Sequence, residues 1–402
     1  MWGVIVFSHC CAFDTCEQVT DFLKGHNFLQ MKKTVLLIMS FCAIFGTLSA
    51  EVKDVEPRLR SMDCIVPIST GESVTKRIHS LLHARKETEK MIGRSATYFP
   101  IFDKYLKEYS LPADLKYITC LETELNNKTI SSAGATGIWQ LMNDVREEFG
   151  LRIDGQVDER YDINRASEAA LKDLKRMYKA YNNWEMTLAG YNCGAGRLGD
   201  AIKRAKSNEF AKVKKFLPQQ TQDYIPKFIA FTYVMKNYQE HGLHPQLPPL
   251  DVQCIGSEKV YHYLSLQTVA SITGVSYELI KELNKQFGDG FVPDNTEGYN
   301  VFVPRRVIGA LQDYISNPDM QRESNLNFQP IAIDENLPKL ENDANYFKTS
   351  YMTGDEETLE SVSELFNIGT YNIMLWNSLS YSKVPKGQEL TLYLPRVVPK
   401  KV

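Results

Sequence analysis

The chain has 402 residues, 43% of them hydrophobic and 24% charged, with a formal net charge of -3. That composition suits soluble globular domains, with length for one or two small modules beside a main core. It excludes a surface built chiefly to neutralise nucleic-acid phosphates, which needs a clear basic excess.

The first readable segment starts at Met31-Lys32-Lys33, followed by an apolar run over 34–46 and then Thr47-Leu48-Ser49-Ala50. This predicts a secretory signal peptide over 31–50, because the run falls short of the about 20 apolar residues of a membrane span and ends in small residues. Residues 1–30 are expected to be a non-native extension ahead of a true start at Met31, and 51–74 a leader segment. Cys42 follows Phe41 inside the apolar run, so no lipid anchor is expected. Of the eight cysteines, Cys64, Cys120, Cys193 and Cys254 follow the cleavage site. An oxidising compartment permits one or two disulfides among them, with three connectivities open. Neither metal-ligand spacing among the cysteines nor an Asp-rich calcium loop is visible, so no metal or cofactor is expected.

Residues 75–243 carry apolar side chains at three- and four-residue intervals, which predicts an all-helical domain. Ser110-Leu111-Pro112 is expected to open one helix, Ser167 to precede another over 169–181, and Gly194 with Gly196 to interrupt a third. The run His244-Pro245-Gln246-Leu247-Pro248-Pro249 stops the periodicity and marks a boundary. Two segments of similar layout follow, 258–308 and 344–398, joined by a stretch over 309–343 that reads as a linker.

In the helix expected after Ser110, Leu111, Leu115, Ile118, Glu122 and Leu125 fall on one stripe. A carboxyl there is desolvated, so its pKa rises and it stays protonated as a general acid requires. The alternative is a surface glutamate whose stem lies along the domain edge while its head reaches water. Glu124, about 200° further round, should face solvent.

Glu122-Thr123-Glu124-Leu125-Asn126 leads to Ser131-Ser132-Ala133-Gly134-Ala135-Thr136-Gly137-Ile138-Trp139-Gln140-Leu141-Met142. Further on come Ala189-Gly190-Tyr191-Asn192-Cys193-Gly194-Ala195-Gly196 and Thr221-Gln222-Asp223-Tyr224-Ile225-Pro226-Lys227. Taken in order, these motifs resemble the lytic transglycosylases, whose pattern is Glu-Ser, a short loop, Ser-x-x-Gly-Ala-x-Gly and a hydrophobic-Gln stretch. Thr123 replaces the family serine and keeps the hydroxyl. Trp139 and Asp158-Glu159-Arg160-Tyr161-Asp162 resemble the membrane-bound murein transglycosylase D branch, where the charges read as structural ties.

The resemblance implies a lysozyme-like fold, with Glu122 as the catalytic acid and then base. Thr123, Ser131, Gln140, Met142, Tyr191, Asn192 and Tyr224 are implied to bind substrate, the two tyrosines flanking Glu122. Trp139 reads either as a flat sugar-facing surface or as core. The glycines read as tight backbone turns. Cys120 and Cys193 flank motif residues and read as small buried hydrophobes or as a disulfide between motif helices; no histidine in or beside the motifs activates them as nucleophiles. Residues 354–390, from Gly354-Asp355 through Trp376-Asn377 to Gly387-Gln388-Glu389-Leu390, resemble a LysM glycan-binding module. Residues 258–308 resemble a more degenerate copy, which reads equally as a spacer.

The expectation is therefore a mainly α protein, a lysozyme-like catalytic domain followed by two small α+β LysM-like modules. It is expected to act in the periplasm or cell envelope, as a monomer, on peptidoglycan strands, with peripheral membrane or cell-wall association open and no nucleic-acid partner. The resemblance implies cleavage of the MurNAc-GlcNAc β-1,4 bond with a 1,6-anhydro product; a hydrolytic muramidase and a noncatalytic glycan-binding protein are the rival readings. Few contacts are expected between the tail and the catalytic domain, so a chain ending near Gly242 should fold alone while the tail tethers it to glycan.

Overall fold

The computed structural model describes residues 55–143, 148–317, 345–355, 357–379, 384 and 386–396. The expected signal peptide, the extension expected ahead of it and most of the stretch over 309–343 expected to be a linker lie outside the described residues. The chain divides into two compact units at Arg58. The first is described only from Val55, where the helix Val55–Ser61 begins; the second, from Leu59, carries the helical domain and both small modules.

The protein is mainly α, and its helical part is laid around one long element. Helix α1 spans Glu72–His83 and α2 Arg85–Glu108, with Pro100 accommodated inside α2. One face of α2 is buried through Ile92, Ala96, Phe99 and Phe102. Then come α3, Tyr117–Thr123, α4, Ile163–Tyr181, α5, Trp184–Cys193, α6, Ala195–Ala205, and α7, Tyr224–Asn237.

Two expected helix starts move. Ser110 has a left-handed φ of 53° and opens no helix; after Pro112 the chain makes a short 3-10 turn, Ala113–Lys116, before α3. The stripe is buried at Leu115, Ile118 and Leu125, yet it is not one continuous helix: Leu111 precedes the turn and Leu125 lies beyond the end of α3. Likewise α4 starts at Ile163, because the Asp162 carboxylate accepts from the Asn164 and Arg165 N–H groups. Ser167 sits inside α4, completely buried. Gly194, with φ of 85°, does separate α5 from α6.

The two small modules repeat a strand-helix-helix-strand order. In the first, β1, Ile255–Val260, pairs antiparallel with β4, Tyr299–Pro304, around α8, Leu266–Thr273, and α9, Tyr277–Leu283; a two-residue pair, β2, Leu264–Ser265, with β3, Phe291–Val292, lies between. A helix α10, Ile308–Ile315, closes it. In the second, β5, Tyr346–Met352, pairs with β6, Glu389–Pro395, around α11, Leu359–Phe366, and α12, Thr370–Trp376.

The expectation of few contacts between these modules and the helical domain is corrected. Val157 belongs to the apolar core of the first module, and Asn300 on β4 donates to the buried Asp162 carboxylate at 2.8 Å. In the second module Tyr371 on α12 packs its ring 4.9 Å from that of Phe99, and Asn372 donates to the Ala96 carbonyl at 3.0 Å. Trp376 Nε1 donates to Gln253 Oε1 at 2.8 Å, and Tyr346 donates to Asp251, which also pairs with Arg306 at 2.8 Å. Gly369 fits against Pro100 so closely that a Cβ would stand 2.6 Å from its ring. Buried aromatic contact and satisfied buried amides make this a packed face, unlike the few polar contacts that a free tether needs.

The four cysteines from Cys64 onward are free thiols, so the permitted disulfides are not formed. Cys120 and Cys193 are buried, as small hydrophobes would be.

Candidate active site

Helix α3 has only seven residues, and its end sets the site. Glu124 and Leu125 both adopt left-handed φ, 52° and 63°, and their N–H groups return to the carbonyls of Cys120 and Thr119. Leu125 tolerates this because its side chain is fully buried, while the Glu124 carbonyl accepts from Arg94 Nε at 3.0 Å. The reversal leaves Glu122 on the last turn of the helix, with Glu124 exposed as expected.

Glu122 is partly buried, and its Oε1 accepts from the Tyr224 hydroxyl at 2.6 Å, delivered by the first residue of α7. No other hydrogen bond from the described residues reaches this carboxyl. Burial raises the Glu122 pKa, opposed by the Tyr224 bond and then by the positive charge of Lys227. Tyr191 lies within the field of the same carboxyl; burial first, then Glu122 and Asp173, hold its hydroxyl protonated. That hydroxyl donates to the Trp139 carbonyl at 2.6 Å. Asp173 is itself paired with Arg176 at 2.5 Å, so it is no free base.

The loop after α3 carries Ser131, Gln140 and Met142 and is tied from behind, while Tyr191 and Asn192 lie on α5. Isolated bridges join Ile130 to Thr136 and Thr136 to Leu141. Arg160 pairs with Asp158 at 2.7 Å and donates to the Gly134 carbonyl at 3.0 Å, so the charged stretch does act as a structural tie. Gly137 has φ of 77°, and a Cβ there would stand 2.1 Å from the Arg160 carbonyl, so no other residue fits without moving backbone.

Within this frame the expected binding residues differ in what they leave free. Ser131 Oγ accepts from the Ala135 N–H at 2.9 Å, so its own proton can be donated. Gln140, at φ of 51°, donates through Nε2 to the Thr129 and Gly137 carbonyls, leaving its oxygen as acceptor. Asn192 accepts from Thr221 at 2.9 Å, which leaves its amide N–H groups to donate. Met142 is 41% exposed. Thr123 is the exception: buried, its hydroxyl faces the carbonyls of Thr119 at 3.0 Å and Ile138 at 3.3 Å, fastening helix to loop. None of Thr123, Ser131, Gln140, Met142 or Asn192 bonds to Glu122.

Trp139 resolves to its core reading. It is fully buried, donates through its indole to Ser167 Oγ at 2.9 Å, and packs 5.0 Å from the Phe102 ring. Sequence reasoning gave no role to Lys227, although its spacing of three from Tyr224 places it on a neighbouring part of the same helix face. Among the described residues no group of acidic, His or Cys side chains could hold a metal ion, and no helix is long and apolar enough to cross a membrane.

Residues 99–214 match the family described as Transglycosylase SLT domain, and residues 259–317 that described as Lytic transglycosylase MltD, LysM-like domain. Membrane-bound lytic murein transglycosylase D of Escherichia coli K12 is 28% identical over 331 residues, covering 81% of this chain and 70% of that protein. Two solved structures overlap in part. Lytic transglycosylase Slt of Pseudomonas aeruginosa, in an inactive mutant, gives a TM-score of 0.33 at 19% identity over 42% of this chain and 28% of that one. The 70 kDa soluble lytic transglycosylase of Escherichia coli gives 0.32 at 16% identity over 42% of this chain and 31% of that one.

Proposed function

We propose that this chain, which matches an SLT domain and an MltD-type LysM-like domain, is a lytic transglycosylase that cleaves the MurNAc-GlcNAc β-1,4 bond of peptidoglycan and leaves 1,6-anhydro-MurNAc ends, with Glu122 as the single acid and base. The observation that carries this reading is a partly buried carboxyl, raised in pKa and bonded by one tyrosine, on which no second carboxyl among the described residues is found to act.

Glycoside hydrolysis commonly divides the work between two carboxyl groups. A lone one suffices when the nucleophile belongs to the substrate. Neutral Glu122 gives its proton to the leaving GlcNAc oxygen as the glycosidic bond breaks and positive charge develops at the MurNAc anomeric carbon. The resulting carboxylate then takes the proton of the MurNAc C6 hydroxyl as that oxygen closes on the same carbon. Glu122 ends as it began, and no water is consumed. Holding both reacting atoms in one sugar gives the closure a large effective concentration. Ser131, Gln140 and Asn192 offer donors and acceptors of the kind that sugar hydroxyls and N-acetyl groups need. The proposed chemistry agrees with the envelope location expected from the signal-like segment and with the peptidoglycan partner implied by the resemblance.

Mass spectrometry of digested murein is expected to give muropeptides lighter by one water than hydrolysed ends. Reducing ends alone would assign the chain to the hydrolytic muramidases instead.

Tyr224→Phe removes the bond that favours the ionised form of Glu122, so the Glu122 pKa rises further. The alkaline limb of the pH-rate profile should move to higher pH, because the acid form persists. The rate itself should drop roughly ten- to a hundredfold, the worth of a charge-assisted hydrogen bond in the second step. An alkaline limb that stays in place would remove Tyr224 from the titration of Glu122.

A further inference from the structure

Lys227 stands one helical turn beyond Tyr224 on α7, half-buried, and its charge acts on Glu122. Other cations packed near α3 are committed within the protein. Arg94 holds the Glu124 carbonyl, Lys116 pairs with Asp103 at 2.7 Å, and Lys236 pairs with Asp114 at 2.6 Å. Among the described residues no hydrogen bond, ion pair or ring contact reaches the Lys227 ammonium. A half-buried cation beside Tyr224 that no hydrogen bond or ion pair of the described residues holds is available to an anion that arrives with the ligand.

Resting on the proposed function, the substrate itself supplies a candidate anion. A murein strand alternates two sugars with nearly the same ring and N-acetyl group, so hydroxyl and amide contacts alone distinguish them poorly. What differs is the arm on C3 of the muramic sugar. It ends in a carboxylate when the strand is bare, and in the carboxylates of a stem peptide when one is attached. We propose that Lys227 binds a carboxylate of this arm and so sets the register of the strand, placing the muramic sugar and not its neighbour over Glu122. Such a contact adds discrimination between two frames that are otherwise nearly equal in energy.

Binding is measured in a Glu122→Gln background, where the titration of Glu122 cannot contribute, with and without Lys227→Met. The probes are a peptide-free murein strand, a peptide-bearing strand and a chito-oligosaccharide of equal length, which has no carboxylate. The expected result is a five- to tenfold weaker affinity for murein, roughly the worth of a partly buried ion pair, with the chito-oligosaccharide unchanged. Loss on the bare strand identifies the lactyl carboxylate, and loss on the peptide-bearing strand alone identifies the stem. Lys227→Arg should retain most of the affinity. Equal change on all three probes, or none on any, overturns the proposal at unchanged melting temperature. The product digest of the unmodified protein is independent of this result, so failure of the register reading and failure of the transglycosylase reading are told apart.

Discussion

Glu122→Gln is expected to leave a folded protein whose murein-clearing rate is lower by about a thousandfold or more, because an amide of the same size supplies no acidic proton. Near-normal clearing would sink the assignment of Glu122. The same variant should be the more stable protein at neutral pH. Burial raises the Glu122 pKa above its ordinary 4.5, so between the two values the folded chain binds a proton that the unfolded chain has released. Stability from this group is therefore highest below the ordinary value and falls as pH rises through the raised one. The glutamine variant lacks that loss. Denaturation at about pH 4 and about pH 7 should show the two proteins alike at the first and the variant ahead at the second. A variant no more stable at pH 7 would show that Tyr224 and Lys227 offset burial entirely.

The second large effect is expected from the far end of the chain. Tyr371→Ala empties a buried aromatic position between α12 and α2, which costs about 3 kcal/mol and lowers the melting temperature by roughly 5–10 °C. A chain ending near Gly242 should lose more, since it also uncovers Phe99, Val157 and the Asp162 carboxyl. It is expected to be aggregation-prone and slow even on soluble glycan strands. This reverses the outcome expected from the sequence. Thermal unfolding and turnover of soluble strands decide the matter: full stability and full turnover in the shortened chain would restore the tether.

The difference between the two readings lies in which patterns a sequence can display. The candidate site could be proposed from the sequence because its residues sit in short local motifs, and Glu122 on an apolar stripe already implied the raised pKa that burial gives it. The helical class and the presence of two segments of similar layout followed from periodicity and punctuation, whereas their α+β character was implied by the resemblance to LysM modules. The break at Ser110 was not legible: the apolar spacing through Leu115 and Ile118 continues across the 3-10 turn, and a left-handed serine has no fixed sequence mark. Trp139 could not be assigned from its own neighbours, since the groups that bury it, Phe102 and Ser167, come from other helices. The docking of α12 was hidden for the same reason. Proline-rich sequence at 244–249 signals a break in helical pattern, and says nothing about whether the chain beyond returns to pack on α2.

Asn372 caps the Ala96 carbonyl across 276 residues of sequence. Helix α2 ends at Glu108 and its partner α12 begins only at Thr370. On the ribosome, or emerging through any channel from its amino terminus, α2 keeps an uncovered apolar face until the distant α12 has also appeared. Helix α12 closes this face, so the order of synthesis makes its arrival a condition for completing the core, and a chain released before it keeps the exposed surface that chaperones and proteases recognise.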